Sequence, residues 1–193
     1  ADLGGRVRFK VICVAAAVLF VAGSAVAQTD FKPLPGLSNL TIDLDSEDGR
    51  FSTFIVHDVC AISALKTQLQ MPRIGRHSQY GPAATISLRN GDKHVALQVG
   101  GSRNLPLSVK LQTSTSDVVQ VYARRMNANE KLDIFIAWTA EGDVQATVGG
   151  QTLTINLPGG VRQLHFSGST GEAMFAPTAI GNTGTATGNC PVG

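Results

Sequence analysis

Four residues in one short stretch carry side chains that could bind or catalyse. Arg73, Arg76, His77 and Tyr80 fall within residues 72–82, a run bounded by Pro72 at one end and by Gly81 and Pro82 at the other. Elimination chemistry on a uronate polymer needs these types: a cation against the carboxylate, a base for the carbon-bound proton, and a phenol as acid. The same groups can hold an anionic glycan without reacting with it. Their spacing matches no lyase motif, and a polar surface loop has the same composition. They are therefore taken as ligand-binding candidates rather than as catalytic ones.

A second set is acidic. Asp43, Asp45 and Glu47 alternate, so a strand would place all three on one face, and with Asp48 they could offer oxygens to calcium. The helix-loop-helix calcium motif is excluded, because its sixth position, counted from Asp43, holds Asp48 where glycine is required. A solvated strand end is the competing reading, and no other cofactor is expected. His57, His94 and His165 stand apart, without the spacing of a zinc site. His165 alternates with Leu164 and Phe166 and is expected to face solvent. Ser169, in Gly168-Ser169-Thr170-Gly171, lacks the frame of a nucleophile elbow and is expected in a turn.

The elements that would position these residues are strands. Ala84, Ile86 and Leu88 alternate with polar residues, Asn90-Gly91-Asp92 turns the chain, and Val95, Leu97 and Val99 return it. Val109 with Leu111, and Val119 with Val121, continue the period of two. Leu132, Ile134, Ile136 and Trp138 share one face of a strand, which puts Trp138 in the core and Asp133 opposite. Two further runs follow, Val144-Ala146-Val148 and Leu153-Ile155-Leu157, separated by Gly149-Gly150. Leu40, Ile42 and Leu44 form an earlier strand. Leu65, Leu69 and Met71 are preferred as strand too, although Ile62, Leu65 and Leu69 also fit a short helix. Short strands at this interval predict an all-β antiparallel sandwich or barrel.

Composition bounds the rest. With 43% hydrophobic and 16% charged residues, the chain is not of the disordered class. A formal net charge of +2 excludes a nucleic-acid binder driven by bulk charge. The first 27 residues have the form of a secretory signal: Arg6, Arg8 and Lys10, an apolar run over residues 11–22, then Ala25-Val26-Ala27. Twelve apolar residues span roughly 18 Å as a helix, short of the ~30 Å hydrocarbon core. Cleavage would leave residues 28–193 with thirteen basic and thirteen acidic residues. Cys13 would leave with the signal. Cys60 and Cys190 would then meet an oxidising compartment, secreted or periplasmic, where pairing with each other is the simplest outcome. The expected layout is a leader over 1–27, one β-sandwich domain over 28–180, and an irregular Gly/Thr-rich tail over 181–193.

The late strands carry a resemblance. Residues 132–138, then Glu141-Gly142-Asp143-Val144, then Gly149-Gly150 and Leu157-Pro158, resemble the closing hairpins of concanavalin A-like (laminin-G-like) jelly rolls. Residues 168–175 are similar to the return strand of those domains. The resemblance implies a jelly-roll sandwich, in a family that includes lectins, adhesion modules, glycosidases and polysaccharide lyases, so the fold does not choose a function. Glycosidases of this type carry E-x-D-x-x-E on one strand; here Asp133 is the only carboxylate in residues 132–138.

The leading expectation is a secreted, non-catalytic binding module for an extracellular glycan, using Arg73, Arg76, His77 and Tyr80. Few aromatic platforms are available, with Tyr80 and Tyr122 the better exposed candidates. The alternatives are a lyase-like enzyme using His77 and Tyr80, or a structural subunit of an envelope or matrix assembly. Self-assembly through β edges would fit the last of these. Neither nucleic acid nor, after signal cleavage, a membrane is expected as a partner.

Overall fold

A computed structural model describes residues 30–57, 59, 62–77, 79–101, 108–114, 118–123 and 130–183. The expected leader, the Cys60–Cys190 pair and the tail beyond residue 183 lie outside the described residues, as does the Tyr122 side chain.

Eleven strands are described: β1 (Phe31–Pro33), β2 (Leu40–Val56), β3 (Ala64–Ile74), β4 (Ala83–Asn90), β5 (Lys93–Gly100), β6 (Ser108–Thr113), β7 (Val118–Ala123), β8 (Leu132–Trp138), β9 (Asp143–Val148), β10 (Gln151–Asn156) and β11 (Gln163–Thr183). All pairings are antiparallel, along the path β10-β9-β8-β3-β11-β4-β5-β6-β7, with β1 and β2 also on β11. The path is folded at β11. Residues 171–178 of that strand lie between β3 on one side and residues 40–46 of β2 on the other, and residues 181–183 pair with β1. Residues 163–169 lie between β4 and residues 51–56 of β2. Two sheets result, the first with β10, β9, β8 and β3 and the second with β4, β5, β6 and β7, and β2 and β11 cross from one to the other side by side.

Both predicted hairpins form, with different turns. Gly91 and Asp92 are the loop between Asn90 and Lys93, and only Gly91 has positive φ, which is the II′ pattern. Gly149 and Gly150 both have positive φ, as a type I′ turn between Val148 and Gln151 demands. The region that also fitted a helix is strand from Ala64 onward.

Inward-facing residues from both sheets make one core, including Leu65, Leu69, Ile86, Leu97, Ile134, Ile136, Trp138, Phe166 and Phe175. The rings of Phe166 and Phe175 meet edge to face, with centroids 5.1 Å apart. β8 is apolar on its outer face too, because Phe31 of β1 lies over Phe135 edge-on at 5.9 Å. Two sheets over one shared core form an antiparallel sandwich, one of the two architectures that the alternation predicted.

Three local expectations are corrected. Ser169 is not in a turn: it sits in β11, paired with Phe51 and with Ala83. Residues 181–183, expected in the irregular tail, pair with β1 instead. His165 is half-buried rather than freely solvated, because the outer face it occupies is crowded by neighbouring strands.

Candidate ligand-binding site

The corner where β2 and β11 change sheets builds the site. At that point the β2–β11 register skips Thr170, which is buried with φ of 51°. A bulge in this conformation persists only when its surroundings fix it. Here the Gly49 N–H donates to Thr170 Oγ1 at 3.2 Å, and the Gly75 N–H donates to Thr170 O at 2.8 Å. Ser46 Oγ donates to Gly168 O at 2.9 Å. The bend in β2 and the loop after β3 are thereby pinned to the same residue.

Asp43, Asp45 and Glu47 do share the exposed face of β2, while Ile42, Leu44 and Ser46 point inward. Asp45 is committed to a partner. Arg73 Nη2 bonds to Asp45 Oδ1 and donates to Ser46 O at 2.9 Å, and Arg73 Nη1 lies 3.8 Å from Asp48 Oδ1. The Asp45 hydrogen bond raises the Arg73 pKa above its ordinary value; burial opposes this, and the charges of Asp45, Asp48 and Glu172 add to it. Glu47 pairs with Arg50 at 3.3 Å. Among the described residues no group of three or more His, Cys, Asp or Glu side chains is arranged to hold a metal ion.

The loop after β3 brings His77 and Tyr80 together. Their rings stack at 5.3 Å with an interplanar angle of 18°. His77 Nδ1 accepts from the N–H groups of Gln79 and Tyr80, both at 3.3 Å. Its ring also covers Gly49: a Cβ there would come within 2.8 Å of Cδ2 and Nε2. His77 thus acts as a bracket that holds Tyr80 against the β2 bend. Tyr80 stays 57% exposed and Phe51 77% exposed, on either side of a groove of about 470 Å³. Arg50, Gln79, Gln98 and Ser169 line the rest of it. Arg76 is exposed on the same loop, and Arg73 faces the acidic residues instead.

Phe51, Arg50, Gln98 and Ser169 are the residues that sequence reasoning missed. The only local signal was an aromatic residue two positions after Gly49. Their approach to Tyr80 depends on pairing between residues more than a hundred positions apart.

A larger groove of about 730 Å³ lies on the outer face of the first sheet, lined by Lys66, Gln68, Asp133, Phe135 and Thr147 among others. Of the two rings in its lining, Phe135 is only 4% exposed, beneath a half-buried Phe31 that meets it edge-on. Among the described residues its lining carries a single carboxylate, Asp133, which accepts from Gln68 Nε2 at 2.8 Å.

No protein-family model matches the chain, and no curated protein does. Solved structures do match. The apo Crh5 transglycosylase superposes with a TM-score of 0.50 at 12% identity, covering 81% of this chain and 80% of that one. The carbohydrate recognition domain of Emp46p, in its potassium-bound form, gives 0.51 at 6% identity, covering 79% and 88%. At such identities the likeness is one of fold. The chain has the concanavalin A-like jelly-roll fold that its late strands suggested.

Proposed function

We propose that this protein is a glycan-binding module, exported to a secreted or periplasmic compartment, that takes its ligand in the groove between Phe51 and Tyr80. One observation carries the reading: the Tyr80 ring is exposed yet already fixed, stacked on an imidazole that is itself bonded to the main chain. Sugars bind by laying their apolar faces on aromatic rings while hydroxyls reach polar groups. A ring ordered in advance lowers the entropy lost on binding. Gln79, Gln98, Ser169 and Arg50 supply the polar groups here. Export is the expectation raised by residues 1–27, and the solved structures with this fold include a carbohydrate recognition domain.

The same geometry favours binding over lyase chemistry. A general base needs a free lone pair aimed at substrate, and the His77 Nδ1 lone pair is turned onto two main-chain N–H groups. A glycan array with the purified protein, repeated with Tyr80→Ala, tests the proposal. Binding of one glycan class that is lost in the variant is expected. Binding unchanged by the substitution would move the site elsewhere.

A further inference from the structure

The groove opens onto the outer face of the second sheet, and that face has a consistent chemistry. Along β11 the outward positions are Ser169, Ser167, His165 and Gln163; along β4 they are Ala83, Thr85, Ser87 and Arg89; along β5 they are Gly100, Gln98, Ala96 and His94. Thr53 extends the row of Ser167, Thr85 and Gln98 on one side, and Lys110 extends it on the other. No Asp or Glu occupies any of these outward positions. The acidic residues Asp43, Asp45, Asp133 and Glu172 belong to strands of the first sheet.

At the end of the face away from Tyr80, an arginine and two imidazoles gather. Arg89 pairs in register with His94 on one side and with Gln163 on the other, so the three side chains leave the sheet together. His165 joins them two residues along β11. Its Nε2 lies 3.2 Å from Gln163 Oε1, and Gln163 Nε2 lies 3.5 Å from His57 Nδ1. Arg89 Nε is buried and has no hydrogen-bond partner. Among the described residues no ion pair joins a carboxylate to Arg89, His94 or His165. What faces His94 is the Asp92 main chain, and Ser114 N–H donates to its carbonyl from the β6 side. Next to the cluster, Ser87 and Ala96 face each other across the ladder and are 6% and 3% exposed. Two small buried residues between taller polar ones leave a low floor.

A buried unsatisfied donor and a guanidinium with no counter-charge both cost stability, and such arrangements persist where a ligand completes them. We infer that Arg89, His94 and His165 bind an anionic group, a carboxylate or sulfate carried by the glycan whose other end lies on Tyr80. This rests on the glycan-binding reading. His165 is four residues from Ser169, and His94 is four from Gln98, so the cluster lies about 14 Å along the strands from the groove. The hydroxyls of Ser167, Thr85 and Thr53 lie between. Burial and the Arg89 charge hold both imidazoles below their ordinary pKa, and for His165 the nearby His57 adds to this. An anion reverses that balance, so binding tightens as the two rings take up protons.

Calorimetry with three probes tests the inference: an oligogalacturonate, a sulfated dextran oligomer and neutral dextran. Preference for an anionic probe over neutral dextran is expected to rise between about pH 7.5 and pH 5.5. It should fall about tenfold in Arg89→Gln, with Arg89→Lys in between. Which anionic probe responds identifies carboxylate or sulfate as the group. An anionic preference equal in wild type and Arg89→Gln, or one flat with pH, overturns it. Titration of the full chain with inorganic sulfate, followed through the histidine ring signals in NMR, separates the two readings. Sulfate-dependent shifts of His94 and His165 without any glycan binding would support the anion site and sink the glycan assignment. Tyr80-dependent glycan binding without such shifts would sink the anion site alone. Circular dichroism of each variant confirms that it is folded.

Discussion

Arg73 and Asp45 belong to strands that are not neighbours: Glu172 of β11 pairs with each of them, and the Arg73 guanidinium reaches over it to the far carboxylate. That single side chain bridges β3 to β2 across the strand between them. Arg73 also donates to Ser46 O, next to the residue whose hydroxyl bonds Gly168.

That commitment bears on calcium. Because Asp45 already faces a cation, adding calcium is expected to leave the melting temperature unchanged in the wild type and in Asp45→Ala. A calcium-dependent rise that disappears in Asp45→Ala would instead establish a metal site on β2. Arg73→Ala is expected to cost little stability, and less at high salt, since both partners are solvent-exposed.

Gly49→Ala is expected to damage both stability and binding. Gly49 has φ of 81°, and an added methyl would meet the His77 ring. The strain should cost about 1–3 kcal/mol, read as a lower midpoint in urea unfolding. Displacing His77 should free Tyr80, so glycan affinity should fall further than the loss of folded protein explains.

Tyr80→Ala should leave the melting temperature almost unchanged, because the ring is largely exposed, yet weaken glycan binding about tenfold or more. Lys66→Ala with Gln68→Ala, in the larger groove on the opposite sheet, should leave that affinity as it was. Calorimetry on the three proteins checks both statements.

Stability should decline in mild acid. His94 and His165 have folded pKa values below the ordinary imidazole value of about 6.5, which is close to that of the unfolded chain. Below pH 6.5 the unfolded chain therefore binds more protons, and the folded state loses ground until the folded pKa values are passed. The melting temperature should be flat above neutrality and fall toward about pH 5. The double variant His94→Gln/His165→Gln should flatten that slope.

Much of the fold was legible because its signals were local. The Gly91 hairpin, the Gly149-Gly150 hairpin and the inward alternation of Ile134, Ile136 and Trp138 each depend on a handful of adjacent residues. β11 was legible only in pieces. Its glycines at 168 and 171 resemble a turn, and pairing with β2, β3 and β4 holds them in a strand on either side of the Thr170 bulge. The site followed the same division. His77 and Tyr80 are three residues apart and were visible together, whereas Phe51 reaches them through the shared corner. Arg89, His94 and His165 form no motif at all; the register of β4, β5 and β11 gathers them.

β11 is the hydrogen-bonded neighbour of β1, β2, β3 and β4 alike, yet it is the last strand in the described sequence. Neither sheet can therefore close while the chain is still emerging from the ribosome short of residue 183. Residues 40–56 must wait, unpaired on that side, for a strand more than a hundred residues downstream. Folding is then a late, concerted event of high contact order, slow by the standards of chains of this size, with the apolar strands exposed to aggregation until it occurs.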